Sequence, residues 1–208
     1  MARYTGPVCR ICRRYGEKLM LKGDKCVTKC TLDKRPQPPG MQQTGRRRKL
    51  SDRALQLREK QKARHSYGVL EKQFRGYYAN AVRLPGVTGQ NLVRMLEMRL
   101  DNVILRMGFA DSLKQARQVV RHGHIMLNGR KTDVPSVATK AGDVIGWVAG
   151  SKNGEYYKFA QTNIGTKSFA SWVNVDTAQM TGRILSIPDV ANLPTKFDPA
   201  VIVEYYSR

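Results

Sequence analysis

A chain of 208 residues with 37 Lys plus Arg against 16 Asp plus Glu carries a formal charge of +21. At 41% hydrophobic and 25% charged residues it can bury a core, but no run approaches about 18 consecutive apolar residues, so no membrane-spanning helix is expected. So much positive charge repels itself unless a polyanion neutralises it; nucleic acid is the commonest, and small acidic substrates need far fewer cations.

The charge is concentrated at the start. Residues 1–65 hold 19 Lys or Arg and 5 Asp or Glu, residues 66–150 hold 12 and 6, and residues 151–208 hold 6 and 5. Met1 to Arg14 lacks the apolar run of about 7 to 15 residues that a secretory signal needs, so a cytoplasmic chain with reduced thiols is expected. The four cysteines fall in two close pairs, Cys9-x2-Cys12 and Cys26-x3-Cys30. That spacing lets four thiolates converge tetrahedrally on one ion, zinc first and an iron–sulfur cluster as the alternative. Arg10, Arg13, Arg14, Lys25 and Lys29 favour thiolate formation nearby. A closed four-ligand site holds a fold together and leaves no coordination position for a substrate.

Pro36, Pro38, Pro39 and Gly40 lead into a linker through Gly45. Ser51 then reads as the N-cap of a basic helix ending near Gly68, and a second helix runs from Glu71 to Ala81 and halts at Pro85-Gly86. From Thr88 one continuous helix is predicted, because Leu92, Leu96, Leu100, Val103 and Met107 fall within roughly an 80° arc at about 100° per residue. Arg99, Asn102 and Arg106 lie on one flank of that arc, and Gly108 stops the helix. Ser112 and Gln115 have capping-box spacing ahead of the next helix, in which Ala116, Val119 and Val120 face one side and Lys114, Arg117 and Arg121 the other. His122, Gly123 and His124 close it.

Strands follow: Ile125 to Leu127, an Asn128-Gly129 turn, and Val144 to Val148, with further strand expected at Trp172 to Val175, Ile184 to Ile187 and Val201 to Tyr206. The predicted fold class is α+β: an N-terminal four-Cys metal-bound segment and helical domain, then a helix–helix–strand RNA-binding module with a small, mostly antiparallel sheet. The expected boundaries are 1–44 for the metal-binding segment and linker, 45–91 for the basic helical domain, and 92–208 for the module, whose core spans about 95–150, with a C-terminal extension.

The three-and-four spacing of Lys114, Arg117 and Arg121 suits successive phosphates, and Arg99 and Arg106 extend that patch. His122 and His124 stand apart from the cysteine pairs and suit a phosphate or helix-end role, while His65 has no assignment. Aromatic residues make up 8% and form no spaced stacking platform, which points to folded or junction RNA read by shape and phosphate geometry rather than to single strands.

The run from Met95 to Ile145, with Arg99-Leu100-Asp101-Asn102, Gly108-Phe109, Gln115-Ala116-Arg117-Gln118, His122-Gly123-His124-Ile125, Asn128-Gly129, Pro135-Ser136 and Gly142-Asp143, resembles the small RNA-binding module named after ribosomal small-subunit protein four. The flanks Arg3-Tyr4, Gly6-Pro7, Leu57-Arg58-Glu59-Lys60-Gln61-Lys62, Gln73-Phe74-Arg75 and Ile202-Val203-Glu204-Tyr205-Tyr206-Ser207-Arg208 extend the resemblance to the bacterial-type small-subunit protein four family over essentially the whole chain. Family members differ in whether they carry the four cysteines. The resemblance implies direct binding of 16S rRNA near a five-way helical junction early in small-subunit assembly. It further implies neighbours including small-subunit protein five, proximity to the channel through which mRNA enters, and an influence on decoding accuracy.

The RNA-contacting set expected on these grounds is Arg3, Arg46, Arg47, Arg48, Lys49, Arg53, Arg58, Lys60, Lys62, Arg75, Arg99, Asn102, Arg106, Lys114, Arg117, Arg121, His122, His124, Asn128 and Arg130, with Cys9, Cys12, Cys26 and Cys30 as metal ligands. No catalysis is expected. An RNA-modifying enzyme or synthetase carrying the same module is the alternative, but residues 151–208 offer no nucleotide-binding Gly-rich loop or convergent acid–base set. A zinc-ribbon factor for duplex DNA is a third reading, and the chain shows no recognition-helix motif for it.

Overall fold

A computed structural model describes residues 4–40 and 49–207. The chain forms two compact units, Met1–Val93 with Pro194–Arg208, and Arg94–Leu193.

In the first unit, three short helices, α1 (Cys9–Tyr15), α2 (Asp24–Thr28) and α3 (Thr31–Lys34), precede α4 (Asp52–Ser66) and α5 (Glu71–Arg83). Gly16 ends α1 in the left-handed conformation with its N–H on the Cys12 carbonyl. Val8, Ile11, Cys12, Tyr15 and Leu19 make a small apolar cluster around α1. Ser51 caps α4 as expected, its Oγ accepting from the Ala54 N–H at 3.3 Å.

The expected strand at Val201 to Tyr206 is instead a helix, α10 (Pro199–Tyr206). Asp198 accepts the Ala200 N–H at 2.8 Å and Pro199 occupies the first turn, a start signal that outweighs the β-branched residues behind it. Its aromatic end packs on the α4–α5 pair: Tyr78 and Tyr206 stack at 4.5 Å, Tyr206 Oη donates to Glu71 Oε1 at 2.9 Å, and Gln56 Nε2 donates to Glu204 at 3.0 Å.

The expected continuous helix from Thr88 to Met107 is broken into α6 (Thr88–Glu97) and α7 (Leu100–Arg106). Met98 and Arg99 leave helical geometry because residues 135–139 cross the junction. The Leu100 and Asp101 N–H groups donate to the carbonyls of Val137 and Pro135 at 2.9 and 3.1 Å, and the Thr139 N–H and Oγ both donate to the Met98 carbonyl at 2.9 Å. Arg99, the extended residue before α7, has no capping side chain, so this strap satisfies backbone donors that a helix start leaves open.

α8 (Leu113–Arg121) follows, capped by Ser112 Oγ on the Gln115 N–H at 3.4 Å. The reciprocal arm differs from a strict capping box, since Gln115 Oε1 accepts from Asp111 N–H. β1 (Ile125–Leu127) and β2 (Arg130–Thr132) form a hairpin through Asn128 and Gly129, whose φ angles of 50° and 77° suit a type I′ turn. With β3 (Val144–Trp147), β4 (Val173–Asp176) and β5 (Thr181–Ile184) they make one sheet, ordered β2-β1-β3-β5-β4, with every pairing antiparallel. The strand expected over Ile184 to Ile187 therefore ends where it was to begin. α9 (Glu155–Ile164) supplies Tyr157, Ala160 and Ile164 to a core shared with Val103, Ile104, Met107, Val120, Ile125, Ile145 and Trp147. Gly182 on β5 lets α7 approach, because a Cβ there would overlap Met107 Sδ.

Candidate nucleic-acid interface

Arg99, Arg106, Lys114, Arg117 and Arg121, all expected to read RNA, lie on or at the start of α7 and α8, and the structure divides them into two groups. Arg99 is 2% exposed and its Nε and Nη2 donate to Asp101 Oδ1 and Oδ2 at 3.0 and 2.7 Å. Arg117, 7% exposed, has its Nη1 3.8 Å from Asp101 Oδ2. Burial pushes the Asp101 carboxyl up, opposed by these two guanidiniums. Asn102, 3% exposed, donates to the Glu97 carbonyl and to Glu97 Oε2 at 3.0 and 2.7 Å, and Arg106 forks onto the same carboxylate at 2.9 and 2.7 Å.

Arg99, Asn102 and Arg117 therefore serve the packing of α6, α7 and α8 rather than the surface, correcting their expected role as an outward patch. Arg106 is half-buried and committed to Glu97. The reason is the pair of carboxylates: Glu97 and Asp101 are fully buried, and a buried charge without a partner is too costly to persist. Their place beside the Leu96, Leu100 and Val103 stripe was the overlooked signal.

Lys114 and Arg121 do face outward, separated by about 10 Å along the axis at 1.5 Å rise per residue. Arg117 sits about 60° round the helix from Lys114 at 3.6 residues per turn, on the border where it meets Asp101 instead of solvent. His122 is exposed; His124 is half-buried, with Nδ1 2.9 Å from Ser151 Oγ and its ring centroid 5.9 Å from that of His122. Burial lowers the His124 ring, and His122 and Lys131 lower it further.

Lys131, absent from the expected set, joins this group. On β2 it pairs with Met126, on the sheet face opposite the buried Ile125, and its Cε and Nζ lie over Gly123 where any side chain would stand. Gly123 has φ +72°, a backbone conformation that favours glycine, and the absent side chain leaves room for the end of Lys131. Lys131 follows the Asn128-Gly129 turn by two residues, and a hairpin drawn from that turn is the signal that could have brought it back toward the end of α8. Arg130 is exposed on the same strand. Asn128 is engaged in its turn, donating to Asp143 Oδ1 at 2.9 Å and accepting from the Val144 N–H at 2.8 Å.

In the first unit Lys49, Arg53 and Arg75 are exposed. Arg58 donates to the Tyr15 carbonyl and lies over that ring, 5.9 Å from its centroid. Lys60 and Lys62 are buried, contrary to their expected surface role: Lys60 pairs with Glu71 at 2.7 Å and stands 4.9 Å from the Tyr205 centroid, and Lys62 pairs with Glu17 and Glu59 at 3.1 and 2.8 Å. Arg3, Arg46, Arg47 and Arg48 lie outside the described residues.

Cys12, Cys26 and Cys30 are buried and Cys9 is partly so, all as free thiols. Burial pushes the Cys12 thiol up, the Leu19 backbone pulls it down, and the charges of Cys26, Cys9 and Cys30 push it up again. The Lys22 N–H donates to Cys26 Sγ at 3.3 Å, a backbone donor suited to a thiolate. The donor set thus fits a soft cation, although the expected closed cage is not formed: among the described residues no three or more His, Cys, Asp or Glu side chains are arranged to hold a metal ion.

Among the described residues, no helix is long and apolar enough to cross a membrane. Residues 3–97 match the family model described as ribosomal protein S4/S9 N-terminal domain, and residues 98–145 match the S4 domain. The chain is 51% identical over 208 residues to small ribosomal subunit protein uS4 of Dehalococcoides mccartyi (strain CBDB1), with 100% of each chain covered. It is 50% identical over 209 residues, again with 100% of each covered, to the protein of the same name from Heliobacterium modesticaldum (strain ATCC 51547 / Ice1).

Proposed function

The chain belongs to the small ribosomal subunit protein uS4 family, and from that premise we propose that it is a structural, non-enzymatic constituent of the small ribosomal subunit that binds 16S rRNA directly. The observation that carries the reading is the full-length match combined with a +21 charge, part of which is exposed on α8 and β2 at Lys114, Arg121, Arg130 and Lys131 beside the exposed His122. Affinity comes from phosphate neutralisation and specificity from the shape of a folded junction.

The buried Glu97 and Asp101 networks fix the surface cations on a rigid platform, so one RNA shape meets them without reordering the protein. In this reading the chain enters assembly early, sits beside small-subunit protein five near the channel through which mRNA enters cytoplasmic ribosomes, and influences decoding accuracy. The four cysteines would have to draw together to bind zinc, and the closed centre so formed would stabilise the first unit and take no part in chemistry.

The test is co-sedimentation with small subunits through a high-salt wash, alongside binding of a folded 16S rRNA junction fragment and a random DNA duplex of equal length. Retention on subunits and a preference for the rRNA fragment are expected. Equal binding to both nucleic acids, or loss from subunits, would reject the assignment.

A further inference from the structure

Histidine is the side chain whose ordinary titration lies nearest neutrality, and two of the chain's three stand at the edge of the exposed cationic face. Their surroundings differ sharply from those of the third. His65 is wedged between Tyr15 Oη, 3.0 Å from Nδ1, and the Arg64 guanidinium, 3.0 Å from Nε2. A guanidinium has donors only, so Nε2 must keep its lone pair and the ring stays neutral.

His124 has no such lock. Its Nδ1 partner is the Ser151 hydroxyl, which donates to a neutral ring and accepts from a charged one with equal ease. The charged and titratable groups facing it are His122 from the end of α8 and Lys131 from β2, while the turn before α9 contributes the Ser151 hydroxyl. His122 lies 5.9 Å away ring to ring and Lys131 Nζ lies over the intervening Gly123. A proton arriving on His124 in the free protein meets two neighbours of like sign and partial burial, so it stays off.

An anion placed against the three groups reverses that balance. Resting on the RNA-binding reading above, we infer that His122, His124 and Lys131 form a single site for one RNA backbone phosphate, and that filling it draws a proton onto the histidine pair. Lys131 supplies the fixed charge. Protonated His124 donates through Nδ1 to Ser151, leaving Nε2–H for a phosphate oxygen, and the exposed His122 ring offers a second donor. The resulting device tightens RNA binding as pH falls through the neutral range, while the arginines contribute a pH-independent term.

The experiment measures affinity for a folded 16S rRNA junction fragment from pH 8 to pH 6 at constant ionic strength, with calorimetry in buffers of different ionisation enthalpy. Wild-type protein is expected to bind about tenfold tighter at pH 6 than at pH 8 and to take up on average about half a proton per complex across that interval, because the pH slope of log affinity equals the protons taken up. His124→Asn sets an amide near the position of Nδ1 and so can keep a hydrogen bond to Ser151, and both it and His122→Gln should retain the wild-type fold by circular dichroism. Combined, the two substitutions are expected to abolish the pH slope. Wild-type affinity that stays flat across the range, or a slope that survives in the double variant, overturns the inference while leaving RNA binding intact. Absence of RNA binding at every pH rejects the underlying reading, and this one with it. Inorganic phosphate in place of RNA is the second arm: no shift of the His124 ring resonances is expected, and a full shift would assign the site to a free anion instead.

Discussion

Arg99 and Asp101, two positions apart, close a two-pronged ion pair at 3.0 and 2.7 Å in a place where neither side chain is more than 2% exposed. Arg117 from α8 approaches the same carboxylate at 3.8 Å, so one acidic residue joins the α6–α7 junction to the neighbouring helix. Asp101→Ala removes the buried carboxylate that Arg99 and Arg117 both approach, and its expected cost is about 3–5 kcal/mol of unfolding free energy. Urea denaturation checks this; a loss below about 1 kcal/mol, the range of an exposed pair, would show that water reaches the site.

His65 makes the first unit acid-sensitive. Burial first, then the Arg64 and Arg14 guanidiniums, lower its ring from the ordinary 6.5 to about 4, against an opposing hydrogen bond to the Gln61 backbone. The unfolded chain therefore takes up this proton at a pH where the folded chain refuses it. The stabilisation is complete above about pH 6.5 and is lost as pH falls toward 4, and amounts to at most about 3 kcal/mol, reduced by screening because the ring is only half-buried. His65→Gln removes the titrating group, so its urea midpoint should fall less than that of wild type between pH 7.5 and 4.5. Parallel curves would place the acid sensitivity elsewhere.

Local signals wrote themselves plainly into the sequence. Ser51, Ser112 and Asn128-Gly129 each act on neighbours within four residues, and each does what its chemistry dictates. The alternation of apolar and polar residues in α8 likewise places Ala116, Val119 and Val120 in the core. What escaped was non-local. Periodicity through residues 92–107 could not show that a strap forty residues later would open the helix at Met98, nor that Arg99 and Arg117 would turn inward to one carboxylate. Lys60 looked like any basic helix residue, although Glu71 and the tyrosines of a helix more than 130 residues away enclose it. Asp198-Pro199, a legible local start signal, prevails in the structure over the strand propensity of the β-branched run Val201 to Val203.

That distant helix makes a testable latch. Tyr206 Oη donates to Glu71, which also pairs with Lys60, while the Tyr206 ring stacks on Tyr78 and Phe74. Tyr206→Phe removes one hydrogen bond and should cost about 1 kcal/mol. Tyr206→Ala also removes the ring contacts and uncovers the buried Lys60, so about 3 kcal/mol is expected. Hydrogen exchange should show the lost protection in α4 and α5; unchanged exchange there would mean that α10 is not needed to hold these helices.

Elemental analysis of protein purified without chelators should find about one zinc per chain if the four sulfurs form one tetrahedral centre. Cys12→Ser should lower that content and the melting temperature together, because Cys12 also belongs to the apolar cluster around α1. Protein without zinc and with an undiminished transition would leave the cysteines as packing residues.

Two arginines of α8, four positions apart, should respond oppositely to truncation. Arg121 is exposed, so Arg121→Ala should leave the thermal transition in place, weaken RNA binding, and make the slope of log affinity against log salt less negative by about one contact. Arg117 faces Asp101 from a nearly buried position, so Arg117→Ala should lower the melting temperature while affinity and salt slope, measured well below the transition, stay close to wild type. The contrast isolates the direction of the side chain, since both substitutions delete the same charge from the same helix. Equal losses of RNA affinity in the two variants would show that net charge, rather than the face Arg121 occupies, governs the interaction.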